Sequence, residues 1–193
     1  VKVDSLKVIA LGGEKAPDGL RRKLAGLAGE LGSDDVRTLA TYGFTEAKAA
    51  WPECATSPFD ESTGYHLSPE LGLVEVVDPR TGDPVENGRP GEVVYTPLDA
   101  RGTIVLRYRT GDLVEGGLTW EPCPACGKTV PRLLGRISRV SERRRMELGK
   151  LKGALVDFNE LEVILDDVKG IGAWQLELRK VNDDPHDLDE LHL

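Results

Sequence analysis

Two short strings, Thr41-Tyr-Gly-Phe-Thr-Glu46 and Tyr108-Arg-Thr-Gly-Asp112, carry the residue types best suited to chemistry in this chain. Each sets a compact turn beside a carboxylate. Carboxylates can hold a hard cation or accept hydrogen bonds from hydroxyl groups. Together they supply the acidic groups that a metal-nucleotide and its ribose require.

Three cysteines and a histidine fall just downstream of these strings. Cys123-Pro-Ala-Cys126-Gly127 has the spacing with which two thiolates grip one tetrahedral ion, and Gly127 permits the tight turn. Cys54 and His66, in a loop rich in Pro, Ser and Gly, complete a set of three sulfurs and one nitrogen. Such a set leaves no position for water, so a zinc ion held there would be structural, and it would clamp the two acidic strings together. The competing uses are a redox Cys-x-x-Cys and a lone buried thiol at Cys54 with an ordinary loop histidine at His66. The redox use fits less well, because Lys128-Thr-Val-Pro131 reads as extended chain where a redox pair usually opens a helix. His186 and His192 sit in the polar tail and receive no role.

The elements that must position these residues follow from the hydrophobic pattern. Leu6 to Leu11 reads as a buried strand that stops at Gly12-Gly-Glu14. Pro17 suits a first helical turn, and Leu20, Leu24, Leu27 and Leu31 recur at helical spacing until Gly32. A second strand, Val36 to Tyr42, delivers the chain to the first string. Strand, helix, strand is the grammar of an open sheet with ligands at the carboxyl ends of its strands, which puts Gly12, Gly13 and residues 42–46 on one edge. From about residue 70 the period becomes two. Leu71–Val77, Gly91–Thr96 and Thr103–Tyr108 are expected as strands of antiparallel hairpins or a small barrel. After Gly135 the composition turns strongly charged, which predicts a unit 1–135 followed by a unit 136–193. In the second unit Asp157 can cap a helix with Phe158, Leu161, Leu165 and Val168 on one face. A strand is expected from Ala173 to Val181, and the tail is expected to end without a clear element. The fold class is thus mixed α/β.

The 193 residues carry 39% apolar and 30% charged side chains, with no apolar run of bilayer length. Lys and Arg number 25 against 33 Asp and Glu, a net charge of −8, which argues against a nucleic-acid backbone as partner. The cluster Arg143-Arg-Arg145 is diluted by Glu142 and Glu147 and reads as a solvated face. An odd cysteine count and a start lacking a basic, hydrophobic leader give a cytoplasmic protein with no membrane partner as the expectation.

The order Gly12-Gly-Glu14, Tyr42-Gly-Phe-Thr-Glu46, Gly91-Glu-Val-Val, Tyr108-Arg-Thr-Gly-Asp112, Gly135-Arg-Ile-Ser-Arg139, Lys152-Gly-Ala-Leu-Val and Glu160-Leu-Glu162 resembles the acyl-adenylate-forming enzymes. It looks most like their phenylacetate-coenzyme A ligase branch, with relatives that adenylate a deazaflavin, and the cysteine and histidine placement matches that branch. The resemblance runs from about residue 6 to about residue 180 and implies the end of a large open-sheet and β-barrel domain and the start of a small α+β domain. It implies ATP and AMP, Mg²⁺, structural Zn²⁺ and coenzyme A as cofactors, and a small carboxylic acid as substrate. By resemblance Glu46 is the magnesium-binding carboxylate, Thr45 the hydroxyl on the α-phosphate, and Tyr42 the ring against adenine. Asp112 is the ribose acid, Arg139 an arginine at the hinge between domains, and Gly12 and Gly13 the backbone beside the acyl and adenine pockets.

The sequence departs from that family in two ways. It contains neither the Ser/Thr/Gly-rich phosphate loop nor the late lysine that stabilises the adenylation transition state, so it is expected to be an internal piece that does not turn over by itself. At the hinge, Val140-Ser141 replaces acids, residues 143–147 look inserted, and Phe158 stands where many relatives have proline. Three classes stay open: a segment of an aryl-acid coenzyme A ligase or of a synthetase using another acceptor, a zinc-stabilised nucleotide-binding module without catalysis, and a purely structural zinc domain. The acid, the acceptor and homodimer formation are left open.

Overall fold

The computed structural model describes residues 2–13, 16–55, 62–102, 104–140, 150–151, 154–155, 161, 164–165, 168, 174–183 and 189–193. Strand β1 (Val8–Leu11), helix α1 (Asp18–Glu30) and strand β2 (Arg37–Phe44) follow the expected order. β1 and β2 run parallel, with Leu11 opposite Ala40, so Gly12 arrives beside Thr41. Pro17, with its own amide donor missing and φ −59°, starts α1. The helix stops where Gly32 takes φ +101° and its N–H reaches Gly29 O at 2.9 Å while Ser33 N–H reaches Ala28 O at 3.0 Å. That pair of bonds satisfies the last carbonyls, and the left-handed turn is one glycine enters without strain.

The leucine stripe that marks the helix is not the face that packs on the sheet. Leu20, Leu27 and Leu31 are 43%, 46% and 46% exposed, whereas Arg21 and Ala28 are buried. The reason is an ion pair. Arg21 Nη2 lies 2.9 Å from Glu53 Oε2 with both side chains 8% exposed, and the same nitrogen donates to Thr38 O at 2.8 Å. Glu53 Oε2 also accepts from Ala40 N–H at 2.9 Å. Two buried charges are tolerable only when paired and hydrogen-bonded, so this cluster sets which side of α1 faces β2.

β3 (Ala49–Pro52) turns back antiparallel to β2, with Tyr42 opposite Trp51 and Gly43 opposite Ala50. A Cβ at Gly43 would lie 2.7 Å from Ala49 O and 3.1 Å from Ala50 Cα, which explains a glycine at the centre of the first string. There follow β4 (Tyr65–His66), β5 (Gly72–Val77), β6 (Gly91–Pro97), β7 (Tyr108–Val114), β8 (Leu118–Thr119), β9 (Arg132–Leu133) and β10 (Ile137–Arg139). β5, β6, β7 and β10 form an antiparallel sheet in the order β10-β7-β6-β5, and β4, β9 and β8 form a second. Trp51, Val76, Val93, Tyr95, Val114 and Leu133 make up much of the core between these elements. Two-residue pairings β11 (Lys150–Leu151) with β12 (Ala154–Leu155) and the hairpin of β13 (Glu177–Lys180) with β14 (Asp189–His192) complete the mixed α/β architecture.

Three expectations change. Residues 103–108 were expected as a strand, yet Ile104 and Leu106 are 72% and 80% exposed, and Arg107 at φ +47° breaks the run. The strand is the second string itself, which is therefore extended chain and not a turn. The tail is not without an element, because β14 pairs along β13 from Lys180–Asp189 to Glu177–His192. The Asp157 cap, Phe158, residues 141–149 with Arg143–Arg145, Glu14, Lys152, Gly153, Glu160, Glu162, Ala173 and His186 lie outside the described residues. Among the described residues no helix is long and apolar enough to cross a membrane.

Removing one member of the buried pair leaves an uncompensated charge. Glu53→Ala is expected to destabilise the chain by about 3–5 kcal/mol in urea unfolding, and Arg21→Met combined with Glu53→Leu to recover most of that loss.

Candidate functional site

Asp112 reaches its position through a register shift. Glu92 pairs with Leu113 and Val94 with Arg109, so β7 carries extra residues between these points while β6 carries only Val93. Gly111 absorbs the irregularity at φ +76°. Thr110 Oγ1 donates to Val93 O and accepts from Asp112 N–H, both at 3.0 Å, and Gly111 N–H donates to the buried Glu92 Oε1 at 3.1 Å. The other carboxylate oxygen of Glu92 binds Arg109. These bonds occupy the backbone groups that the shift frees from the ladder.

The Asp112 carboxylate so directed is 4% exposed. Its Oδ2 accepts from Tyr42 OH at 3.0 Å, and its Oδ1 lies 2.9 Å from Arg139 Nε. Arg139 stands directly across the sheet from Asp112 in the β10–β7 pairing, which brings the guanidinium to the carboxylate. Burial first, and then the negative charge of Asp112, push the Tyr42 phenol far above its ordinary range, so it is a permanent donor. Glu46 lies on a one-turn 3₁₀ helix, Thr45–Ala47, closed by Lys48 in the left-handed region. Its Oε1 accepts from Tyr108 OH at 2.8 Å. The structure thus joins Tyr42, Asp112 and Arg139 in one contact group and links Glu46 to the second string through Tyr108. Thr45, which begins the turn, is exposed. Gly12 abuts Thr41, whose Oγ1 a Cβ at that position would strike, and Gly13 is open at φ +87°.

The thiols and the imidazole converge. One ligand atom from each of Cys54, His66, Cys123 and Cys126 lies within 4.8 Å of every other. Cys54 Sγ and Cys123 Sγ are 3.7 Å apart, and Cys126 Sγ and His66 Nε2 are 3.9 Å apart. Zinc bonds of about 2.3 Å to sulfur and about 2.0 Å to nitrogen give tetrahedral edges of about 3.5–3.8 Å, so the donor set and these two separations fit that ion. A disulfide needs about 2.05 Å, so these are thiols. The knuckle is a turn, with Cys123 N–H on Lys128 O and Gly127 N–H on Cys123 O, each 2.8 Å, and not a helix start. Burial, Lys128 and Arg132, in that order, hold His66 below the usual imidazole range and keep it neutral, the form that ligates. Burial raises the Cys123 thiol, but hydrogen bonds from Thr63 and from the backbone of Cys126 and Ala125 overcome it and the net direction is down.

Sequence reasoning missed two residues here. Tyr108 stood inside the second string without a role, since nothing in a period-two pattern says which carboxylate a phenol will meet. Arg132 was passed over as one more cation, though it is 4% exposed. Its guanidinium donates to Thr63 O on the His66 side and to Glu121 O and Pro122 O on the Cys123 side, at 3.2 and 3.4 Å for the latter two. It joins the two halves of the cluster and adds its positive charge beside His66.

No model of a known protein family matches the chain. A phenylacetate-coenzyme A ligase of Thermus thermophilus is 35% identical over 135 residues, 68% of this chain and 28% of that protein. One from Aromatoleum evansii is 30% identical over 111 residues, 58% of this chain and 23% of that protein. The crystal structure of a 2-hydroxyisobutyryl-CoA ligase in the postadenylation state, in complex with R3-HIB-AMP, superposes with a TM-score of 0.66 at 21% identity over 96% of this chain and 36% of that one. The chain belongs to the acyl-adenylate-forming superfamily, in its phenylacetate-coenzyme A ligase-like branch. It spans 28% and 23% of the length of the two curated relatives. The shared fold is the superfamily's mixed α/β architecture.

The cluster geometry yields a test by cobalt titration, in which a thiolate-rich tetrahedral site gives intense visible absorption. Cys123→Ser is expected to abolish that spectrum and lower the melting temperature, and Arg132→Met to weaken cobalt affinity about 10–100-fold, as loss of a group orienting the ligands does.

Proposed function

We propose that this chain is the nucleotide-holding segment of an ATP-dependent acid-coenzyme A ligase, which activates an aryl or related carboxylate as its acyl-AMP and passes the acyl group to the thiol of coenzyme A. The carrying observation is the buried Asp112 carboxylate, whose Oδ2 accepts from Tyr42 and whose Oδ1 meets Arg139. A carboxylate offers about four lone-pair sites, which suits it to accept from a pair of ribose hydroxyls. A preorganised, desolvated acceptor of this kind discriminates strongly for a diol.

Around it the other residues take the roles their positions allow. The Tyr42 ring flanks the base. The glycines at 12 and 13, without side chains, let backbone approach the ligand. Thr45, at the exposed start of its turn, offers a hydroxyl to the α-phosphate, and Glu46 offers a carboxylate oxygen to the cation. Mg²⁺, when bound there, would screen the triphosphate from a chain of net charge −8 and polarise the P–O bond that breaks. In the first half-reaction an oxygen of the acid attacks the α-phosphorus and pyrophosphate leaves. In the second, the thiol sulfur attacks the acyl carbon, its proton is lost, and AMP departs with the electron pair.

Cys54, His66, Cys123 and Cys126 are assigned to structural zinc, which would add a cross-link between the loop after β3 and the knuckle before β9. Residues 1–135 are read as the end of the large domain and residues 136–193 as the start of the small one, with β10, paired to β7 at the sheet edge, just past the boundary. The phosphate loop and the late lysine lie outside these motifs, so turnover is assigned to a longer ligase of which this is a segment.

Calorimetry with AMP tests the reading. Asp112→Asn is expected to weaken AMP binding about tenfold or more, as loss of hydrogen bonds to a charged group does. Unchanged affinity in a folded variant would remove the ribose assignment, and flanking coding sequence lacking both a phosphate loop and a lysine-bearing small domain would remove the ligase.

A further inference from the structure

The two carboxylates are held crosswise. Tyr42 of the first string donates to Asp112 of the second, and Tyr108 of the second donates to Glu46 of the first, at 3.0 and 2.8 Å. The first of these bonds is buried and the second lies at the more open side.

The Tyr108 ring is firmly placed. It stands opposite Tyr95 in the β6–β7 pairing, and Phe44 packs edge-on to Tyr95 at 5.4 Å and against Tyr108 at 6.2 Å. Just before it Arg107 takes φ +47°, with its N–H on Thr96 Oγ1 at 2.9 Å, so the chain enters β7 through a conformation a non-glycine residue rarely adopts. The hydrogen bond to Glu46, the largest influence on it, raises the phenol above its ordinary value and keeps the proton on the tyrosine. Glu46 itself has less support, being carried by a single 3₁₀ turn whose backbone closes through Lys48 N–H on Thr45 O at 3.2 Å. A carboxylate on so short a turn can sweep several rotamers unless something holds it.

We propose that Tyr108 is a positioning residue: its hydroxyl pins Oε1 of Glu46 and so leaves Oε2 aimed at the divalent cation that accompanies a nucleotide's phosphates. The proposal rests on the reading of Glu46 as the metal-nucleotide carboxylate. It predicts a defect confined to ligands that bring a cation with them, because the phenol donates to Glu46 while the Asp112 carboxylate is held by Tyr42 and Arg139.

The test compares Mg·ATP with metal-free AMP by calorimetry on the 193-residue chain and its Glu46→Gln and Tyr108→Phe variants. Tyr108→Phe, which keeps the ring and its packing, is expected to weaken Mg·ATP about tenfold, as loss of a group orienting a metal ligand does, with AMP affinity and melting temperature unchanged. Glu46→Gln is expected to weaken Mg·ATP at least as much. If Glu46→Gln has no effect, or if Mg²⁺ adds nothing to ATP binding by the unmodified chain, the reading of Glu46 falls and the proposal with it. If Glu46→Gln weakens Mg·ATP while Tyr108→Phe behaves as the parent, the proposal alone is overturned. Equal loss of AMP and Mg·ATP in Tyr108→Phe, with a lowered melting temperature, would also overturn it by showing a purely structural ring.

Discussion

A carboxylate removed from water must be compensated where it lies, and Asp112 is the point at which that requirement organises the molecule. Its two oxygens are met by a phenol from β2 and a guanidinium from β10, so the parallel unit, strand β7 and the edge strand β10 all close on one side chain. None of the three could shift far without exposing a charge to an environment that does not solvate it. Glu92 plays the supporting part beneath, buried and spent on Arg109 and the Gly111 amide, which holds the irregular stretch of β7 in the shape that turns Asp112 inward.

The thiol and imidazole cluster is tied to the same frame by short covalent and hydrogen-bonded steps. Cys54 follows Glu53, the residue that binds Arg21 of α1 and bridges to Tyr65, and His66 is the next residue along. On the other side Arg132 collects carbonyls from both loops. The two acidic strings touch directly through their own tyrosines, and the three thiols and the imidazole converge beside them.

How much of this the sequence discloses depends on the kind of interaction. The β1-α1-β2 unit and the β5–β6 hairpin are legible because apolar periodicity, proline and glycine act locally. The convergence of the three thiols and one imidazole was legible from residue type and spacing. The face that α1 presents was not: its leucines advertise one side, while a long-range pair between Arg21 and Glu53 selects another. The second string looked like a turn because Thr110-Gly111 carries turn residues, which in fact serve a register shift within a strand. Ile104 and Leu106 suggested a strand by composition and lie in the loop before it. Tyr108 and Arg132 were silent, since their meaning is their partner.

The extra residues that β7 carries opposite Val93 set an arithmetic on the sheet. Side chains in a strand alternate faces, so Asp112 faces inward and Val114 reaches the core only while the count between Arg109 and Leu113 is kept. Loss or gain of one residue there would turn the acid and the core valine to opposite sides together. Drift in this segment is thus confined to exchanges that conserve length, whereas the chain beside the exposed Leu98, Ile104 and Leu106 is free to lengthen or shorten.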